Sequence, residues 1–464
     1  MPTNSPKNFG LIGAAGYVAP RHMTISIIGL GYVGLPLAVE FAKKGHTVFG
    51  IDISSERIEK LKASDNYIAD VSDADLSDVI QSGKLLPVPG FEACAESHAI
   101  IVCVPTPITE NKDPDLTAIK NATTAAGPHI QKGQVVILKS TTFPTTTEEV
   151  VKPLLEKASG LKAGSDFHLA YSPERVDPGN KKWTTANTPV VVGGLTAACS
   201  TAASAILAEI TPNVHVVSSP RVAEMEKLLE NIFRSVNIAL VNEMAMLCDR
   251  MGGINLWEVV EAASTKPFGF MPFYPGPGLG GHCIPIDPYY LSWLARKYDF
   301  ETSFITLSAR TNEEMPFYVV DAIQRILANR GSSTPGKPRV LILGAAFKKN
   351  VDDLRHSPAF KIIELLESQT SAAVDFCDPH ATEFSKEWID GSPVMRSVEG
   401  SPGQIRSYDV VVLVTDHDAF DFQMIADNAQ FIIDTRNAFK GIAISPDRIR
   451  VLGAGEFLTH KSVK

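Results

Sequence analysis

Cysteine is scarce in this 464-residue chain, and none of its six cysteines forms a Cys-x-x-Cys pair. Neither a disulfide framework nor a zinc site is indicated, and so few thiols suit a reducing cytoplasm. No apolar run reaches the length of a membrane span, and the N-terminus has no basic-then-apolar leader pattern. Positive charge is in deficit as well: 43 basic residues against 52 acidic ones leave a net charge of −9. General nucleic-acid binding is therefore disfavoured. What remains is ordinary globular composition and length enough for two or three domains. The expectation is a cytoplasmic enzyme that holds no metal.

What is present begins with a fragment. Asn8–Pro20 has the pattern of a strand and a Gly-rich turn, yet Arg21-His-Met23 follows where a crossover helix belongs. One turn without its helix and second strand cannot enclose a cofactor. Residues 1–22 are expected to be a fusion or start-site remnant. From Thr24 the pattern starts again and completes itself. The apolar run Thr24–Ile28 leads into Gly29-Leu-Gly31-Tyr32-Val33-Gly34, a helical stretch through Lys44, and a second strand that ends at Asp52. A lone GxGxxG is weak; between strand and helix, with an acid ending the second strand, it is the dinucleotide fingerprint. The glycines admit a pyrophosphate, the helix N-terminus attracts it and Asp52 accepts ribose hydroxyls. A carboxylate there repels a 2′-phosphate and favours NAD over NADP, a preference that Arg57 softens slightly.

Three further strand-like runs end in polar tips. These are Val104-Pro-Thr106-Pro107, Ser140-Thr141-Thr142 and Ser172-Pro-Glu174-Arg175-Val176. Ligands bind outside the carboxyl ends of strands in open α/β sheets, so these tips are expected to line a cofactor and substrate cleft. From Arg221 to about Asp249 the period becomes helical, with Met225, Leu228, Leu229, Ile232 and Phe233 as an apolar stripe. Lys227, Asn231 and Arg234 share another face. Such faces are usually solvated, but Asn231 is a poor helix former in line with a lysine, which points to a polar ligand.

The segment Pro272–Pro288 then brings Gly280-Gly281, the single thiol Cys283 and Asp287 together. Glycines allow close backbone approach to a ligand, and a thiol seated there is a candidate nucleophile. Taken alone, it could equally be a Gly/Pro loop with an incidental buried cysteine. A small-residue linker at 331–338 precedes a second set of strand candidates: 339–343, 373–376, 409–414 and 430–434. Phe347, Lys348 and Arg355 lie after the first of these, where phosphate contacts are common. The fold class expected is α/β, with two Rossmann-like domains joined by a long central helix. Its divisions are 1–22, an NAD-binding domain at 23–215, a central helical and thiol-bearing region at 216–330, and a second, smaller α/β domain at 331–464, which has no GxGxxG.

These motifs resemble, in order and over Thr24 to about Phe439, those of the UDP-glucose/GDP-mannose 6-dehydrogenase family. The resemblance implies a four-electron oxidation of a sugar C6 alcohol to a carboxylate with two NAD. It implies Cys283 as the nucleophile that carries thiohemiacetal and thioester. Lys227 and Asn231 would stabilise the C6 oxyanion, Asp287 would orient or deprotonate, and Glu174 with Thr141 would position water. Cofactor contacts fall on Gly29, Gly31, Tyr32, Val33, Gly34, Asp52, Arg57, Thr106, Thr141 and Arg355. Substrate contacts fall on Arg175, Val176, Lys227, Asn231, Arg234, Gly280, Phe347 and Lys348. The stretch Thr265–Gly278, with Ile286 where the UDP-glucose branch has a lysine, is similar to enzymes that oxidise UDP-N-acetyl-D-glucosamine for bacterial surface polysaccharides. Its N-acetylmannosamine, N-acetylgalactosamine and glucose counterparts stay open as substrates, as does a non-catalytic nucleotide-sugar-binding protein. A homodimer through the central helix is the expected assembly, with no nucleic-acid or membrane partner.

Overall fold

The computed structural model describes residues 17, 19–177, 179–180, 182–281, 284–330 and 337–458. They form two compact units, one running to Glu230 and including Tyr289–Tyr298, the other comprising Asn231–Pro288 and the chain from Asp299 onward.

The first unit is built on an eight-stranded sheet. Its strands are β1 (Thr24–Ile28), β2 (Thr47–Ile51), β3 (Leu85–Val88), β4 (Ala99–Val102), β5 (Val135–Leu138), β6 (His168–Tyr171), β7 (Val190–Gly194) and β8 (Val214–Val217). They lie in the order β3-β2-β1-β4-β5-β6-β7-β8. Central strands such as β4 and β5 are buried at every residue, because helices cover both faces of a parallel sheet and leave no side for polar alternation. Ile25, Ile27, Val135 and Ile137 pack with Leu35 and Phe41 of the helix Gly34–Lys43 in one core. Each such buried aliphatic side chain stabilises by about 1.5–3 kcal/mol. The pairing of β6 with β7 is antiparallel, Ala170 opposite Gly194. Among the described residues no helix crosses back between these strands, and without a crossover a neighbouring strand can only return antiparallel.

The second unit repeats the plan at smaller scale. The strands β9 (Arg339–Leu343), β10 (Ala373–Cys377), β13 (Val410–Leu413), β14 (Ile432–Asp434) and β15 (Ile449–Val451) form a parallel sheet in the order β10-β9-β13-β14-β15. A small hairpin of β11 (Glu383–Ser385) and β12 (Val394–Arg396) lies outside it. Val340, Ile342, Val410 and Val412 pack against Ile362 and Leu366 of the helix Pro358–Gln369 and against Val319 and Ile323 of the helix Ser303–Arg330. The tail after β15 is held by Asp249, which accepts N–H groups from Gly453 at 3.0 Å and Gly455 at 2.9 Å.

The helical pattern from Arg221 becomes a helix of 32 residues, Pro220–Met251. Its apolar stripe divides. Leu228 and Ile232 are buried, whereas Met225, Leu229 and Phe233 are exposed, Leu229 at 64%.

Candidate active site

Two glycines explain how the first strand turn is made. Gly29 holds φ +91°, and a Cβ there would stand 2.6 Å from the Cys103 carbonyl oxygen. A Cβ on Gly34 would come within 1.8 Å of the Gly29 oxygen, so helix and strand could not approach. Around Gly31 the same test meets no atom within 4 Å, which leaves open space at the mouth of the turn. Asp52, 5% exposed, accepts the Leu30 N–H at 2.9 Å and the Ser54 N–H at 2.9 Å. Arg57 reaches the same carboxylate at 3.4 Å. A carboxylate has about four acceptor sites, so capacity remains for a ribose hydroxyl. The cradle fits NAD: open space over Gly31, a helix N-terminus behind it, and an acid with acceptor sites to spare.

The tips of β4, β5 and β6 lie side by side in the sheet. Thr106 is buried, and its carbonyl accepts the Tyr290 hydroxyl. Thr141 is half-buried. Glu174 accepts the N–H groups of Arg175 at 2.8 Å and Val176 at 2.9 Å on one oxygen, and its other oxygen lies 3.1 Å from the buried Lys139 ammonium. Burial pushes the Glu174 carboxyl up, but Lys139 and the two N–H groups outweigh it and hold the group below the usual carboxylate range. Arg175 is spent on the protein. Its Nε donates to Glu230 at 3.0 Å and its Nη1 to the Pro189 carbonyl at 2.9 Å. Burial and the neighbouring Glu230 carboxylate raise Glu226 to about 7, while Glu230, paired with Arg175, stays ionised. Lys227, between those two glutamates in sequence, is 8% exposed.

In the second unit Asn231 and Asp287 are both buried, and the Asn231 amide donates to Asp287 at 2.5 Å. Asp287 opens the helix Asp287–Ala295, where a carboxylate complements the helix dipole. Cys283 falls outside the described residues. Its neighbours Gly280 and Gly281 are described: a Cβ at Gly280 would meet the Phe347 Cβ at 2.5 Å, and the Gly281 N–H donates to the Arg355 carbonyl at 2.9 Å. Gly280 and Gly281 thus lie directly on the turn that carries Phe347 and Lys348. Arg355 clasps Asp353 through its Nε at 2.9 Å and its Nη2 at 2.6 Å. Arg234 is exposed.

Two residues in these clusters escaped the sequence reading. Lys139 directly follows β5, and Arg436 follows β14 by two residues. Arg436 donates through Nε to the Val414 carbonyl at 2.8 Å, and a Cβ on Gly276 would come within 2.7 Å of its Nη1. Burial lowers its guanidinium against the attraction of Asp416 and Asp434. Both cations stand at carboxyl ends of strands, and that position was the available signal.

Models of the UDP-glucose/GDP-mannose dehydrogenase family match in three consecutive pieces. They are the NAD binding domain at 23–211, the central domain at 221–314 and the UDP binding domain at 341–441. The chain is 38% identical over 404 residues to a UDP-N-acetyl-D-glucosamine 6-dehydrogenase of Pseudomonas aeruginosa, covering 86% of this chain and 92% of that one. It is 35% identical over 426 residues to a UDP-N-acetyl-D-mannosamine dehydrogenase of Pyrococcus horikoshii, covering 90% and 96%. A solved structure of the UDP-N-acetyl-D-mannosamine dehydrogenase from Pyrococcus horikoshii superposes with a TM-score of 0.83 at 32% identity, covering 94% of this chain and all of that one.

Proposed function

Because this chain belongs to the UDP-glucose/GDP-mannose dehydrogenase family and is thus an NAD-dependent UDP-sugar dehydrogenase, we propose that it oxidises UDP-N-acetyl-D-glucosamine at C6 to the uronic acid, for surface polysaccharide synthesis. The substrate reading is supported by the 38% identity to an enzyme named for that sugar and by the Thr265–Gly278 segment. The mechanism leans on one observation above all, the buried amide–carboxylate bond between Asn231 and Asp287.

NAD, when bound, accepts a hydride from C6 in each of the two oxidations. Gly29, Gly31, Tyr32, Val33, Gly34, Asp52, Arg57, Thr106, Thr141 and Arg355 are its proposed contacts. The Cys283 thiolate adds to the C6 aldehyde to give a thiohemiacetal. Loss of the second hydride leaves a thioester, and water cleaves it to carboxylate and free thiol. Asp287 takes one amide hydrogen of Asn231 and fixes the plane of the group, so the other hydrogen is aimed at the C6 oxyanion together with the Lys227 ammonium. Glu174 and Thr141 position the water. Phe347 takes the nucleotide base, Lys348 and Arg234 take phosphate charge, Arg175, held by Glu230, places the Val176 backbone at the sugar, and Gly280 is a further sugar contact.

The assembly proposed is a homodimer. Exposed Met225, Leu229, Phe233, Leu240, Met244 and Leu247 follow one another along the central helix at spacings of three, four or seven residues, the pattern of a helix-packing seam. No helix among the described residues is long and apolar enough to cross a membrane, and a cytoplasmic site of action follows from the cofactor and sugar nucleotide.

The test is to assay the purified protein with UDP-linked N-acetylglucosamine, N-acetylmannosamine, N-acetylgalactosamine and glucose while counting NADH per sugar. The expected result is two NADH per sugar and the highest kcat/KM with N-acetylglucosamine. One NADH per sugar would remove the double oxidation, and preference for N-acetylmannosamine would reassign the substrate. Full turnover by Cys283→Ala would remove the thiol.

A further inference from the structure

Lys139 is 2% exposed, yet it carries a charge beneath the polar tips of the first sheet. Two of its three N–H donors meet partners in the protein. One goes to Glu174 at 3.1 Å and one to the Pro173 carbonyl at 3.3 Å. Beside Lys139 is a cavity of about 10 Å3, the space that one water needs. Lys139, Glu174, Thr188, Leu37 and Ile210 line this cavity. The Thr188 hydroxyl oxygen is buried and has no hydrogen-bond partner among the described residues. Such an orphan is costly unless a water reaches it.

Glu174 can be followed the same way. Arg175 N–H and Val176 N–H fill one oxygen, Lys139 takes one position on the other, and a single acceptor position is left. A carboxylate held by an ammonium and two backbone N–H groups binds a proton poorly.

We propose that Lys139 is a positioning residue for thioester hydrolysis, which fixes Glu174 as a permanent anion with one acceptor position for the attacking water. One buried water joins Lys139 Nζ to Thr188 Oγ1 and completes the clamp. Glu174 therefore aligns the water without taking its proton. The water oxygen bonds to the acyl carbon, the C–S bond breaks, one water proton goes to the Cys283 sulfur, and the other is released to solvent as the product carboxylate ionises. Glu174 is a carboxylate before and after. The inference rests on the double oxidation through Cys283 proposed above.

The experiment compares Lys139→Met and Lys139→Arg with the full-length parent protein by single-turnover kinetics and intact-protein mass. In Lys139→Met, hydrolysis is expected to slow by about 100-fold while the first hydride transfer stays within about threefold, and the acyl adduct accumulates. The acid limb of the hydrolysis rate is expected to move up by about one pH unit, since Glu174 loses its ammonium partner. Lys139→Arg is expected to restore hydrolysis to within about threefold of the parent, because the cation is retained. An unmoved acid limb, or an equal loss in hydride transfer and hydrolysis, would overturn the assignment. Should Lys139→Met not fold, Glu174→Gln decides. That change is expected to abolish the acid limb and slow hydrolysis, and wild-type hydrolysis in it would equally end the proposal. A parent enzyme yielding one NADH per sugar, or no covalent adduct, would instead defeat the thiol mechanism before any variant is compared.

Discussion

Asp378 ends β10 as Asp52 ends β2, and each carboxylate accepts backbone N–H groups from the turn after the neighbouring strand: Ala345 at 2.7 Å in one case, Leu30 at 2.9 Å in the other. The turns match too. Gly344 holds φ +84° and bonds to the Cys377 carbonyl at 2.9 Å, as Gly29 holds φ +91° and bonds to the Ile51 carbonyl at 2.7 Å. The difference lies in what capacity remains. Asp378 also receives Ala346, His380 and Ala381 N–H groups, and His417 lies 3.1 Å from it. It is spent inside the protein, whereas Asp52 is not.

The two acids should therefore respond differently to the same substitution. Asp52→Asn is expected to raise KM for NAD about tenfold and to relax discrimination against NADP. Asp378→Asn is expected to leave KM for NAD unchanged and to cost about 3 kcal/mol in urea unfolding, since an amide cannot accept all five contacts. Its hydrogen bonds hold the Asp378 carboxyl near about 2 despite burial. Its stabilising contribution is thus present above the ordinary carboxylate range and lost as pH falls toward that value.

Glu224 carries the opposite sign. On the central helix it accepts the N–H groups of Thr145 at 2.7 Å and Thr147 at 2.9 Å and the Thr147 hydroxyl at 2.7 Å. Burial nevertheless raises it to about 7 from an ordinary 4.5. The folded protein then binds this proton more tightly than the unfolded chain does. The stability so gained is complete below about pH 4.5 and is lost as pH rises through about 7. Unfolding free energies measured from pH 5.5 to 8.5 should fall with pH in the parent. Glu224→Gln should reduce that slope and leave the part due to Glu226, which burial also raises to about 7; an identical slope would show that Glu224 does not contribute.

Tyr17, ahead of the first strand, packs on the core of the first unit, with its ring 5.8 Å from that of His168. Its hydroxyl and both His168 ring nitrogens are buried without hydrogen-bond partners among the described residues. Tyr17→Phe should therefore be neutral or stabilising, while Tyr17→Ala should cost about 1–2 kcal/mol. Thermal melts separate the two. Removal of residues 1–22 should lower Tm while leaving turnover per folded molecule unchanged.

The exposed seam on the central helix yields the last expectation. Leu240→Arg should convert dimer to monomer in sedimentation velocity without loss of helix by circular dichroism, because Leu240 is already 56% exposed in the single chain. A dimer that persists in Leu240→Arg would place the interface elsewhere.

Local pattern alone determined the central strands of both sheets and the dinucleotide turn. Each is marked by residue type at short spacing: glycines admit one backbone path, and an acid directly after the second strand faces the turn that follows the first. The motifs, in their order, also identified the family. Which charges are free was legible only in three dimensions. Arg175 has the pattern of a substrate contact, and that Glu230, 55 residues away, holds it could not be read from the sequence. Glu174 has the pattern of a water-positioning residue, and its partner Lys139, 35 residues earlier, shows only in the fold. The central stripe could not be divided into buried Leu228 and exposed Leu229, because a helical period gives direction around the axis and does not tell what stands there. Ionisation and availability are set by partners distant in the chain, and only the tertiary structure brings those partners together.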